Sequence, residues 1–278
     1  MKNAIRYYYQ IEVSNLKYEN HSYLFDSYVL LEVYKQFDFS IYQYLQENGY
    51  PVYQIIFNKD YQYITTIDEK NYVLLYVPSV SKVDFYTLEN FQVPVYHQKI
   101  LPWNELWMEK VDFYEKHVTT MNSEKIKQSF FYYIGMAENS ISFYQLIKRE
   151  NELFLTHNRI DNDFQYWDPT NFMVDYRARD IAEYTKKLFF DNQLQYSDLF
   201  LYFSRMQFTD IDYLLFYTRM LYPSYYFDCY DKIVNGDSEE CLTKYFEKRE
   251  AYEELLRSLY ISFSQFLFMP KIDWIVDK

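Results

Sequence analysis

Residues 155–184 read LTHNRIDNDFQYWDPTNFMVDYRARDIAEY, the densest concentration of polar chemistry in the chain. His157, Arg159, Asp161, Asp163, Asp168 and Asp180 all fall inside it. A short apolar unit, Leu153 to His157, leads into it, and from Ile181 to about Lys278 the apolar residues recur at helical spacing. Asp180 stands at the expected helix start, where a carboxylate accepts backbone N–H bonds and meets the positive end of the helix dipole.

On the N-terminal side the pattern is different. Tyr28-Val29-Leu30-Leu31-Glu32-Val33-Tyr34, Val52 to Phe57, Tyr61 to Thr66 and Tyr72 to Val77 are short runs of β-branched and aromatic residues, separated in part by the polar turns Asn58-Lys59-Asp60 and Asp68-Glu69-Lys70-Asn71. They predict an antiparallel meander. One helix interrupts it, because Phe37, Ile41, Tyr44 and Leu45 share a helical face and Gly49 with Pro51 supplies a stop. Pro78, Pro94 and Pro102 then punctuate a boundary region. Beyond it, Leu106, Trp107, Val111, Tyr114 and Val118 mark one amphipathic helix, and Ile126, Phe130, Tyr133, Ile134, Ala137 and Ile141 a second that Ser123 can cap. The fold class is therefore α+β: a small antiparallel β-rich lobe over residues 1–80 and a larger helical lobe over residues 81–278.

Composition removes whole classes of function. Lys plus Arg number 28 and Asp plus Glu 40, giving a net charge of −12, which disfavours binding to nucleic acid or to anionic membranes. Gly49, Gly135 and Gly236 are the only glycines, so neither a GxGxxG nor a Walker loop can be written. Cys229 and Cys241 lack the close spacing and the nearby histidine of a zinc site, and His21, His97 and His117 are scattered. No run approaches the ~18 apolar residues of a membrane span, and the start lacks an apolar core of signal-peptide length, so a soluble, reduced, intracellular chain is expected. The 35 Tyr and 24 Phe are expected chiefly to fill the core, with oxidative cross-linking of clustered phenols as the rival reading.

The 155–184 stretch resembles the catalytic and metal-binding segments of the aminoglycoside-phosphotransferase and choline-kinase branch of the kinase-like fold. That branch carries His-Gly-Asp, then an Asp at a strand end, then twelve residues on an Asp opening a helix as Asp-Leu-Ala. Here His157 takes the place of the family His, Asp168 and Asp180 are twelve apart, and Asp180-Ile181-Ala182 replaces Asp-Leu-Ala. More narrowly, Gly135-Met136-Ala137-Glu138-Asn139, the Trp103 to Trp107 region and Asp175 to Tyr184 resemble the YutH-type spore coat proteins, kinase-like proteins related to the CotS coat proteins.

The resemblance implies a two-lobed protein-kinase-like fold, and it also exposes departures. Kinase chemistry needs an Asp to accept the hydroxyl proton, an Asn and an Asp on magnesium and a Lys on the phosphates. Arg159 stands where the proton acceptor should be, and a guanidinium cannot accept a proton. Phe164 occupies the place of the magnesium Asn. Asp168 remains as the candidate metal ligand, Lys35 as a candidate for the phosphates at the end of a strand without an obvious Glu partner, and Asp180 as a structural brace of the loop.

The expected function is that of a catalytically inactive pseudokinase of the spore coat, without cofactor. It would be made in the mother-cell cytoplasm, join other coat proteins and leave nucleic acid and membranes alone. The alternative is an active small-molecule phosphotransferase using ATP and magnesium, with Asp161 or Asp163 accepting the proton, Asp168 on the metal and Lys35 on phosphate. A third reading keeps nucleotide as a structural ligand of an inactive fold.

Overall fold

A computed structural model describes residues 1–19, 21–34, 37–96, 99–147 and 152–276. In chain order the first elements are α1 (Lys2–Tyr9), β1 (Lys17–Glu19), β2 (Ser22–Phe25), β3 (Tyr28–Glu32), α2 (Phe39–Glu47), β4 (Gln54–Ile56), β5 (Thr65–Ile67), β6 (Lys70–Tyr76), α3 (Phe85–Asn90) and β7 (Pro94–Val95). There follow α4 (Trp103–His117), α5 (Glu124–Leu146), β8 (Leu153–His157), α6 (Asp163–Trp167), β9 (Phe172–Asp175), α7 (Ala178–Phe190), α8 (Tyr196–Met206), α9 (Asp210–Leu221), α10 (Ser224–Val234), α11 (Glu240–Glu247), α12 (Arg249–Ser264) and α13 (Asp273–Val276). The class is α+β, as expected. The residues group into two compact units, 1–83 with 157–173, and 84–156 with 174–278. A single cut near residue 80 does not capture this grouping, because the polar segment 157–173 belongs with the N-terminal sheet.

The first unit is built on an antiparallel sheet of order β1-β2-β3-β6-β4, with β5 also on β6. Tyr72 to Leu75 of β6 are buried without alternation, as suits a strand covered on both faces. The expected meander is corrected in two ways. β4 and β5 share one edge of β6, pairing Gln54 with Tyr76 and Thr65 with Tyr72 respectively, while β3 holds the other edge. The strand expected from Tyr61 begins only at Thr65, because the buried Asn58 side chain accepts from the N–H groups of Asp60 (2.9 Å) and Gln62 (3.0 Å) and Tyr61 turns to φ 58°. Sequence reading also missed α1, whose Ile5 and Tyr9 one turn apart pack with Leu30, Ile67 and Leu74, with Tyr9 Oη and Thr65 Oγ1 hydrogen-bonded at 2.7 Å.

With few glycines, tight turns fall to other residues. The β5–β6 turn places Asp68 (φ 48°) and Glu69 (φ 64°) both in the left-handed region, the geometry that usually selects Asn-Gly. Glu69 is exposed, so Glu69→Gly removes a steric cost and little else. It is expected to raise the unfolding free energy by about 1 kcal/mol. Chemical denaturation checks it, and a loss of stability would contradict the account.

The second unit packs its helices through rings. Tyr133 of α5 stacks on Tyr226 of α10 with centroids 3.9 Å apart, and Trp107 of α4 stacks on Tyr222 at 4.3 Å. Tyr114, Tyr144, Tyr217, Tyr230 and Tyr252 are fully buried. Several phenols on the expected helix faces are thus core residues. Gly135 to Asn139 lies inside α5, where Met136 and Ala137 face inward and Asn139 Nδ2 donates to the Gly135 carbonyl (2.7 Å).

Candidate functional site

In the first unit the chain leaves β8 at His157 and folds back on itself. His157 is fully buried, stacks on Tyr166 (4.2 Å between centroids), and places Nε2 2.9 Å from the Tyr166 carbonyl, so Nε2 donates. A single side chain then ties the loop together. Asn171 Nδ2 donates to the carbonyls of Arg159 (2.7 Å) and Gln165 (2.8 Å), its Oδ1 accepts from the Arg159 N–H (3.3 Å), and its own carbonyl accepts from Asn158 (2.7 Å). Three backbone groups of a turn that lacks glycine are thereby satisfied at once. Sequence reading did not single out Asn171; its place two residues after a Pro, just before a strand, was the available signal.

The named residues of this loop have distinct surroundings. Arg159 is half-buried, and its Nη1 donates to the Asn158 carbonyl (3.5 Å). Asp161 is exposed, its N–H donating to Gln165 Oε1 (2.7 Å). Asn162 caps α6 by accepting from Gln165 N–H (2.9 Å), and Asp163 follows in the first turn. Phe164 stacks on Tyr53 with centroids 5.3 Å apart, so the position of the expected metal Asn is a packing position. Lys35 lies outside the described residues.

Asp168 does not sit at a strand end, where sequence reading put it. It follows α6 and starts a turn in which Oδ1 accepts from both the N–H and the Oγ1 of Thr170, each at 2.8 Å. Thr170 is its hydrogen-bonding partner, and among the described residues of this unit none donates to Oδ2. Burial pushes this carboxyl up to about 6, against the downward pull of the two Thr170 bonds and of His157 nearby.

Asp168 lines a cavity of about 660 Å³ that lies wholly within the first unit. Leu24, Val29 and Leu31 of the sheet supply apolar surface, and Glu19, Asp26 and Asp163 add three more carboxylates. No Lys or Arg is among its described lining residues. Such a surface repels phosphate. Among the described residues, no group of three or more His, Cys, Asp or Glu is placed to hold a metal ion.

The strand-end carboxylate is Asp175, in the second unit. It closes β9 three residues before α7, the helix that carries Asp180-Ile181-Ala182. Asp175 is fully buried; Oδ1 accepts from the Tyr176 N–H (2.7 Å), and Oδ2 accepts from Arg179 Nη1 (3.0 Å) and Arg219 Nη2 (2.5 Å). Both guanidinium groups also lie over the Trp103 ring, at 4.6 and 5.0 Å. Asp175 and Arg179 are four apart on the sequence, which was legible; the third partner comes from α9 and was not. Asp180 is buried in the first turn of α7, where its carboxylate meets the positive end of the helix.

Comparison with known proteins follows this geometry. The family model described as "Spore coat putative kinase YutH" matches residues 3–259. The endospore coat-associated protein YutH of Bacillus subtilis (strain 168) is 25% identical over 341 residues, covering 99% of this chain and 98% of that one. An aminoglycoside phosphotransferase from Alicyclobacillus acidocaldarius superposes with a TM-score of 0.61 at 11% identity, over 91% of this chain and 93% of that one. The AMP-bound complex of spectinomycin phosphotransferase superposes with a TM-score of 0.62 at 12% identity, over 89% and 93% of the two chains. The fold is therefore that of the aminoglycoside phosphotransferases.

Proposed function

The chain belongs to the YutH family of spore coat proteins, and on that premise we propose that it is a non-catalytic, kinase-like component of the bacterial endospore coat. It works by binding other coat proteins. It is made in the mother-cell cytoplasm and passes from there to the coat, as the coat association of the Bacillus subtilis relative suggests. The net charge of −12 speaks against a nucleic-acid role, and among the described residues no helix is long and apolar enough to cross a membrane.

One observation carries the non-catalytic reading. The strand-end carboxylate, Asp175, accepts from two guanidinium groups and has no exposed surface, so it is not free to hold a metal. A magnesium ion would have to displace both arginines and then sit beside their buried charge. The cavity of the first unit offers a metal nucleotide the half-engaged carboxylate of Asp168 together with those of Glu19, Asp26 and Asp163, and, among its described lining residues, no cation for the phosphates. ATP and magnesium therefore have no place in this proposal.

A second reading rests on Asp163 and Asp168 lining one cavity. It makes the chain an active phosphotransferase, with Asp161 or Asp163 accepting the substrate proton, Asp168 on magnesium and Lys35 on phosphate. A thermal-shift titration separates the two. Ligand at 100 times its dissociation constant stabilises by about 2.7 kcal/mol, a rise of several degrees. The non-catalytic reading expects a change below about 1 °C at millimolar ATP and magnesium. A rise of several degrees that disappears in Asp168→Ala would transfer support to the second reading. The coat assignment is tested by fractionating spores, where recovery of the chain only from vegetative cytosol would sink it.

A further inference from the structure

The cavity of the first unit combines an apolar floor with buried charge. Leu24 pairs with Val29 across β2 and β3, and Leu31 lies two residues on from Val29, so the three side chains share one face of the sheet. All three line the cavity, as do Asp163, Phe164 and Asp168 from the segment that follows β8. At about 660 Å³ it is of a size that buries a small ligand.

Its carboxylates are short of cations. Glu19 is paired with Lys17 at 2.9 Å, but among the described residues of this unit no Lys or Arg lies within ion-pair distance of Asp26, Asp163 or Asp168. Asp168 matters most, because only 5% of it is exposed. Thr170 holds Oδ1 with two bonds, whereas Oδ2 takes no donor from the described residues of this unit and is not sealed from solvent. On a side chain that lines the cavity, that oxygen opens into it. A carboxylate so deeply placed is costly to keep charged until a positive donor meets its open oxygen.

We propose that this cavity binds a primary alkylammonium group, its N–H donors on Asp168 Oδ2 and its carbon chain along Leu24, Val29 and Leu31. The surroundings select that chemistry. Anions are repelled by the lining. A guanidinium presents a two-pronged fork, but Thr170 already occupies one of the two carboxylate oxygens, so a compact ammonium fits the remaining one better. A quaternary ammonium brings no N–H to Oδ2, and a hydrated metal ion gains nothing from an apolar floor. Asp163 adds attraction at longer range, and Phe164 supplies aromatic surface beside a cation. Either a free amine or the lysine side chain of another protein carries such a group. The site stands apart from the coat assignment: recovery of the chain only from vegetative cytosol would leave it untouched.

The test titrates the whole chain with n-butylammonium chloride above pH 7, where Asp168 is ionised, by calorimetry and by thermal shift. Binding of about millimolar strength is expected, with a melting temperature raised by a few degrees at tens of millimolar ligand. Butanol tests the carbon chain alone, and sodium and magnesium chloride test the charge alone; each is expected to bind about tenfold or more weakly. Butanol or either salt matching butylammonium would overturn the proposal, as would no binding of butylammonium.

Two variants locate the site. Asp168→Asn keeps an oxygen for Thr170 and is expected to fold, yet to lose about tenfold or more in affinity, the share of one charge-assisted hydrogen bond. Asp163→Asn, at a half-buried position, is expected to lose about two- to fivefold. Unchanged affinity in both would overturn the site. N-acetyl-lysine methylamide then tells the two sources apart: affinity equal to that of butylammonium supports a protein lysine as the occupant, and affinity well below it supports a free amine.

Discussion

Replacing Asp175 by alanine is expected to lower the unfolding free energy by about 3–5 kcal/mol, the range found when one partner of a buried ion pair is removed. The carboxylate is the common partner of Arg179 and Arg219, and all three side chains are buried to within a few per cent. Its loss leaves two positive charges together in a site that water reaches poorly, both over the Trp103 ring. Arg219→Met should cost less, because it removes one of the two charges and puts an apolar side chain where the guanidinium lies over Trp103 and Trp107. Urea denaturation of the two variants checks both the size and the order. The experiment also bears on function. If Asp175 were kept for metal, alanine would relieve a site held at some cost to folding and would leave stability equal or higher. A loss below about 1 kcal/mol would therefore count against the structural role given to this residue.

Asp168→Asn is expected to act in the opposite direction, stabilising the fold by about 2–3 kcal/mol above pH 7. The carboxyl ionises at about 6 in the folded chain instead of 3.8, because burial disfavours the charged form. The folded state therefore holds its proton more tightly than the unfolded state. Stability from this group is present in full below about pH 4 and is lost as pH rises through about 6. Asparagine keeps an oxygen to accept from Thr170 and has no charge to lose, so its advantage should vanish near pH 4 and grow to a plateau above pH 7. Melting temperatures of both proteins across pH 4–8 give the curve. A difference independent of pH would show that the Asp168 carboxyl is not titrating as described.

The sheet, the interrupting helix and the α4–α5 pair were legible, because each announces itself through local periodicity. What escaped was set by side chains acting across the chain. The delay of β5 to Thr65 came from Asn58 capping a turn, which a run of aromatic residues does not reveal. Asp168 and Asp175 show the same limit at the site. The twelve-residue interval between Asp168 and Asp180 pointed to Asp168 as the strand-end residue, whereas the strand ends at Asp175, five residues before Asp180. Spacing alone cannot tell these apart, because a helical turn inserted before β9 moves the strand along the sequence. Nor could sequence find Asn171, whose importance lies in three backbone groups that only the folded loop brings within its reach.

The shared edge of β6 has a consequence for how this family can vary. β4 occupies the end of that edge near Tyr76 and β5 the end near Lys70, so residues 57–64 only step from one half of the edge to the other. Neither strand takes its register from its partner on that edge; each takes it from β6. A relative can therefore lengthen or shorten this step without shifting a single pair in the sheet. The step is a natural place for new surface to be added while the core stays as it is.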